Sequence, residues 1–146
     1  MNGSTTRQKN AEQVRKLIQD WAASVSAGDR AGILAGHAGD MLMFDFPNTV
    51  RGLEQYDRTW DFFYESPKGP IRFVPSELEV TAGEDVAFAS CQIHCDGTSA
   101  GPLDLRLTVG LKKVDGEWTV IHEHHSVPTQ EERFLDAGLH GTDADR

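Results

Sequence analysis

Cysteine is scarce in this chain, long apolar runs are missing, and basic residues are outnumbered. Among 146 residues only Cys91 and Cys95 occur. Four apart on one strand they would lie ~13 Å from each other, too far for a disulfide. No second pair of ligands stands beside them, so buried free thiols are a better reading than zinc. No apolar run approaches the ~20 residues of a bilayer-spanning helix. The first ten residues are polar and lack the apolar segment of a secretion signal, which points to a cytoplasmic protein. Lys and Arg number 14 against 23 Asp and Glu, a net charge of −9. Nucleic acid and anionic membrane both need clustered basic side chains, so neither is expected as a partner. Repeats and low-complexity stretches are missing too. The chain reads as one domain, long enough for a real core.

What is present begins with helices. Val14, Leu17, Ile18, Trp21, Ala22 and Val25 recur at helical spacing and predict an amphipathic helix over about 9–26. Gly28 suits its C-terminal cap, and Asp29 can N-cap a short second helix reaching about His37. Met41–Phe46 reads as a short strand ended by Pro47 and Asn48. Leu53, Tyr56, Trp60 and Phe63 mark one face of a third helix, closed by Pro67, Gly69 and Pro70. Four long strands follow, over 71–80, 86–95, 103–114 and 118–127. Their turn signals are Ala82-Gly83-Glu84-Asp85, Asp96-Gly97 and Asp115-Gly116. Helices first and antiparallel strands afterwards imply an α+β domain with helices on one face of a curved sheet. It would occupy 9–128, with flexible termini at 1–8 and 136–146.

Three histidines crowd the last strand, Trp118-Thr119-Val120-Ile121-His122-Glu123-His124-His125-Ser126. Asp115-Gly116 favours a two-residue turn. Pairing outward places Lys113 opposite Trp118, Leu111 opposite Val120, Val109 opposite His122 and Leu107 opposite His124. Paired residues share a face. His122 and His124 would then lie with the leucines beneath the helices. Glu123 and His125 would lie on the other face with Arg106, Thr108, Lys112 and Thr119. A one-residue bulge would exchange the two sets.

The order of features resembles the ketosteroid-isomerase-like superfamily, which includes the nuclear transport factor 2 fold and the SnoaL-like polyketide cyclases. The resemblance rests on Ala27-Gly28-Asp29 after the first helix and a strand ending Phe44-Asp45-Phe46-Pro47. It rests also on Arg51-Gly52 before the third helix, and on Asp115-Gly116-Glu117-Trp118 leading to His122, His124 and Ser126. It covers about 10–128. It implies a cone-shaped fold, its curved antiparallel sheet wrapped around an internal pocket closed by the N-terminal helices, often dimeric. Asp45 falls where ketosteroid isomerases place their general base. Their oxyanion hole, a tyrosine on the first helix and a protonated aspartic acid on a later strand, is not matched. Trp21 stands for the tyrosine, and Val109 or Thr108 for the acid.

The candidate catalytic residues are therefore Asp45 as base, with His122 or His124 as proton donor or acceptor near neutral pH. Trp21, Tyr56, Trp60 and Val109 are candidates for substrate binding. The expected ligand is a small, mostly apolar carbonyl compound. Its chemistry would be isomerisation, cyclisation or dehydration, of isomerase or lyase type and without a cofactor. The alternative is a non-catalytic ligand-binding or assembly module. His122 and His124, ~7 Å apart at the backbone, could with Asp45 form a two-His-one-carboxylate metal set, but no further ligand is evident and no metal is expected. For Asp45 the plain alternative is a strand-end cap, and for Tyr56 and Trp60 helix-to-sheet packing. A homodimer is expected through the face away from the helices. Ile121, Thr119 and Thr108 would be at its centre, and Arg106, Glu123 and His125 at its rim.

Overall fold

The computed structural model describes residues 3–128, with side chains from residue 5 onward. Among the described residues three helices, α1 (Gly3–Ala27), α2 (Arg30–Leu34) and α3 (Leu53–Phe63), pack with six strands. The strands are β1 (His37–Phe44), β2 (Thr49–Arg51), β3 (Arg72–Ala82), β4 (Val86–Asp96), β5 (Leu103–Val114) and β6 (Glu117–Ser126). They form one sheet in the order β2-β1-β6-β5-β4-β3. Pairing is antiparallel except that β1 runs parallel to β6. The architecture is the expected α+β one, a curved sheet with helices on one face.

Several boundaries differ from expectation. α1 begins at Gly3, so residues 3–8 are helical where loose chain was expected. Residues 136–146 lie outside the described part. β1 starts at His37, four residues earlier than Met41, because the chain after α2 is already held beside β6: Val120 N–H donates to the Gly36 carbonyl at 2.7 Å. Gly36 takes φ 69°, a left-handed backbone that suits glycine at a helix end. Asp29 caps α2 as read, its side chain accepting from Gly32 N–H.

α1 lays Val14, Ile18, Trp21, Ala22 and Val25 on the sheet, and all are buried. They meet the inward row Leu105, Leu107, Val109 and Leu111 of β5, with Ala87, Ala89, Cys91, Ile93 and Cys95 of β4. Alternate residues of β4 and β5 are exposed, the pattern of a sheet with one covered face. Each large apolar side chain so buried contributes roughly 1.5–3 kcal/mol. Pro75 is tolerated in β3 because that strand is at the sheet edge.

The hairpin between β5 and β6 departs from the register read from sequence. Asp115 and Gly116 take φ 51° and 81°, the expected two-residue turn, and Lys113↔Trp118 and Leu111↔Val120 pair as expected. The register then shifts. Gly110 pairs with His122, Val109 with Glu123, Thr108 with His124 and Leu107 with His125. Ile121 is the extra residue of a bulge in β6. Beyond it the faces are exchanged: Glu123 and His125 lie under the helices, and His122 and His124 on the outer face. The physical reason is partners. Under the helices Glu123 finds three hydrogen-bond donors, which offsets the cost of burying a carboxylate.

Candidate functional site

The inward turn of Glu123 and His125 builds a polar cluster within an apolar core. Glu123 is 1% exposed. Its Oε1 accepts from His125 Nε2 at 2.8 Å. Its Oε2 accepts from the Tyr56 hydroxyl at 2.8 Å and meets His37 Nε2 at 2.5 Å. Trp21 Nε1 in turn donates to the Tyr56 oxygen at 3.1 Å. The indole N–H of Trp60 stands near the same phenol but completes no hydrogen bond among the described residues.

Each member is placed by local structure. His37 opens β1 directly after Gly36, with Nδ1 on the Ala35 carbonyl at 3.0 Å. Tyr56 comes from α3, whose start is pinned to β1 by Gly52 N–H on the Met41 carbonyl at 2.8 Å. The spacing of Tyr56 and Trp60 puts both on the buried face of α3. The His37 and Tyr56 rings stack at 4.8 Å.

The electrostatics follow from this packing. Burial alone would raise the Glu123 carboxyl, but hydrogen bonds from His125 and His37, and their charge, bring it down to about 2. Burial alone would lower His37, but the Glu123 carboxylate and the Ala35 and Leu34 carbonyls hold it above its ordinary value. Burial and the adjacent carboxylate push the Tyr56 phenol well up, so it stays a donor. His37, Glu123 and His125 bond to one another and do not converge on a common point. No group of three or more His, Cys, Asp or Glu among the described residues is arranged to hold a metal ion.

Beside this cluster lies a cavity of about 280 Å³. Its walls are Met43, Trp60, Phe63, Phe73, Cys95, Leu103 and Leu105, with Phe46 and Phe62, both largely exposed, at its rim. The polar side chains that reach it are His125, Asp45, Thr59, Thr98 and Ser99. No lysine or arginine lines it among the described residues. Among the described residues, His125 is the hydrogen-bonded member of the cluster that also lines the cavity. Glu123 holds its Nε2, and no protein group among the described residues bonds to its Nδ1. Burial pushes the Cys95 thiol up to about 11, so at neutral pH it is wall and not nucleophile.

The candidates read from sequence fall in three places. Asp45 and Trp60 reach the cavity. Asp45 also does what its plain alternative described: its Oδ1 accepts from Asn48 N–H at 2.8 Å. Trp21, Tyr56 and Val109 are buried in the core and do not line the cavity. His122 and His124 are on the far side of the sheet, flanking Phe44 at 5.2 and 5.5 Å between ring centres, with His122 Nδ1 on the Leu42 carbonyl at 2.8 Å. The bulge that put them there also took Glu123 and His125 away from the expected dimer face. His37 and His125 were missed. The signal for them was Gly110, since a glycine inside a strand often marks a bulge. A Cβ there would lie 3.5 Å from the His122 Cβ.

A model of the SnoaL-like domain matches residues 14–130. The chain belongs to the SnoaL-like family. A solved structure of a nuclear-transport-factor-2-like protein of unknown function from Pseudomonas putida is 31% identical, with a TM-score of 0.77 over 86% of this chain and 92% of that one. A candidate ketosteroid isomerase from Shewanella frigidimarina shares 22% identity, with a TM-score of 0.64 over 76% of this chain and 92% of that one. A candidate scytalone dehydratase from Novosphingobium aromaticivorans shares 14%, with a TM-score of 0.76 over 86% and 89%. At those two identities the likeness is one of fold. No protein of curated function matches. No helix among the described residues of this SnoaL-like chain is long and apolar enough to cross a membrane.

Proposed function

We propose that this SnoaL-like protein binds a small, mostly apolar carbonyl compound in the cavity and catalyses proton transfer on it. The observation that carries the reading is His125. One ring nitrogen is fixed by a buried carboxylate, and the other is unpartnered on a residue that lines an apolar cavity. A neutral imidazole so held can take a proton from the carbon beside a carbonyl and return it to another carbon. The product is an isomer, and the same step opens cyclisation or loss of water. Thr98 and Ser99 bring hydroxyls that no side chain among the described residues engages, placed to meet a ligand oxygen. Asp45, at the rim, is the second candidate for proton relay. Without lysine or arginine in the lining, a neutral ligand fits better than a carboxylate.

The test is a thermal-shift and turnover screen with cyclic ketones and phenols on wild type and His125→Gln. Turnover in the wild type that falls by about 10²-fold or more in the variant supports the reading. Turnover that survives in His125→Gln rejects it. The second reading, a binding module without catalysis, is favoured by the occupied Asp45 carboxylate and the unmatched oxyanion hole. Ligand binding with no turnover of any compound would decide for it.

A further inference from the structure

His37 does not reach the cavity, yet the placement of protons around Glu123 turns on it. Its Nδ1 lies 3.0 Å from the Ala35 carbonyl, which can only accept, so that nitrogen carries hydrogen. Its Nε2 lies 2.5 Å from Glu123 Oε2. Trp21 donates to the Tyr56 oxygen, which sends the Tyr56 hydrogen to the same Oε2. His125 Nε2 occupies Oε1. One carboxylate balances one imidazolium, so a single cation leaves the cluster without net charge. Only His37 has both nitrogens committed to acceptors. Of the two rings, His37 is the one whose surroundings call for hydrogen on both nitrogens.

We infer that His37 is a positioning residue: its cation keeps Glu123 a carboxylate, and Glu123 holds His125 with hydrogen on Nε2 and a free lone pair on Nδ1. This rests on the reading of His125 as the proton-transfer group in the cavity. The titratable groups that meet the Glu123 carboxyl are His37 of β1, Tyr56 of α3 and His125 of β6, with Trp21 of α1 behind the phenol. No lysine or arginine among the described residues is one of its hydrogen-bond partners. His37 lies above its ordinary value and Glu123 below its own, which agrees with a charged pair.

The experiment needs no ligand. Ring-nitrogen NMR of the ¹⁵N-labelled chain at about pH 6.5, the ordinary histidine midpoint, should show two protonated nitrogens on His37 and one, Nε2, on His125. In His37→Gln the amide can still donate to Glu123 but brings no charge. His125 should then lose its single-tautomer pattern and take up hydrogen on Nδ1. A singly protonated His37 in the wild type, or an unchanged His125 pattern in the variant, would overturn the inference. If the variant does not fold, the wild-type pattern of the two rings decides alone. Once a turnover is in hand, His37→Gln should lower kcat by about 10²-fold with KM little changed. Failure to find any turnover would count against the reading of His125 and leave the ring pattern standing. An unchanged ring pattern beside good turnover would count against His37 alone.

Discussion

Replacing Glu123 by alanine should cost the fold about 3–5 kcal/mol, the range for removing one partner of a buried charged pair. The magnitude follows from what is stranded. Tyr56, His37 and His125 all bond to this carboxyl, and among the described residues none has another partner for the same hydrogen. His37 can shed its charge by losing a proton, which keeps the loss from going higher. For a chain of this length each kcal/mol moves the thermal midpoint by about 2–4 °C, so a fall of roughly 6–20 °C is expected. The dependence on pH has a definite sign. The Glu123 carboxyl drops from 4.5 to about 2 on folding, so its contribution is complete above about 4.5 and fades as pH falls toward 2. His37 rises above 6.5, so its contribution is complete below about 6.5 and is lost as pH climbs through its folded value. Both are whole between those limits. Urea unfolding followed by tryptophan fluorescence at about pH 5.5 and about pH 9 should give the larger wild-type advantage at the lower pH. An equal advantage at both, or one under about 1 kcal/mol, would refute the charged pair.

Other expectations are simpler. Asp45→Asn keeps an oxygen for Asn48 N–H, so stability should change by less than about 1 kcal/mol; unchanged turnover would remove Asp45 as a relay. Leu103→Trp should fill the cavity and abolish ligand-induced thermal shifts while the far-ultraviolet spectrum is kept; undiminished binding would place the ligand elsewhere. Gly97→Ala puts a Cβ 2.1 Å from the Pro70 carbonyl oxygen at φ 88°, so a loss of about 1–3 kcal/mol is expected on urea unfolding. A homodimer is expected through the outer face of the sheet, where Val74, Val86 and Phe88 are exposed. Light scattering should give twice the 16.1 kDa chain mass; a monomer at high micromolar concentration would refute this face.

The amino-acid order alone determined the class of fold, because local periodicity carries that information. The apolar repeat of α1, the Asp29 cap, the Tyr56–Trp60 face of α3 and the alternation of β4 and β5 are all set within a few residues of chain. The Asp115-Gly116 turn likewise set the first pairs of the last hairpin. The site was not legible in the same way. Asp45 and Trp60 reached the cavity, but the histidines were assigned to the wrong face. Strand alternation is exact only while the ladder is regular, and one extra residue at Ile121 reversed every side chain after it. Which register wins is decided by contacts distant in sequence. His37 lies 86 residues before Glu123, and Tyr56 lies 67 before it. These two supply the donors that let a carboxylate sit in the core. Nothing near His125 in the chain encodes that supply; it exists only once β1 is laid parallel to β6 and α3 is packed across them.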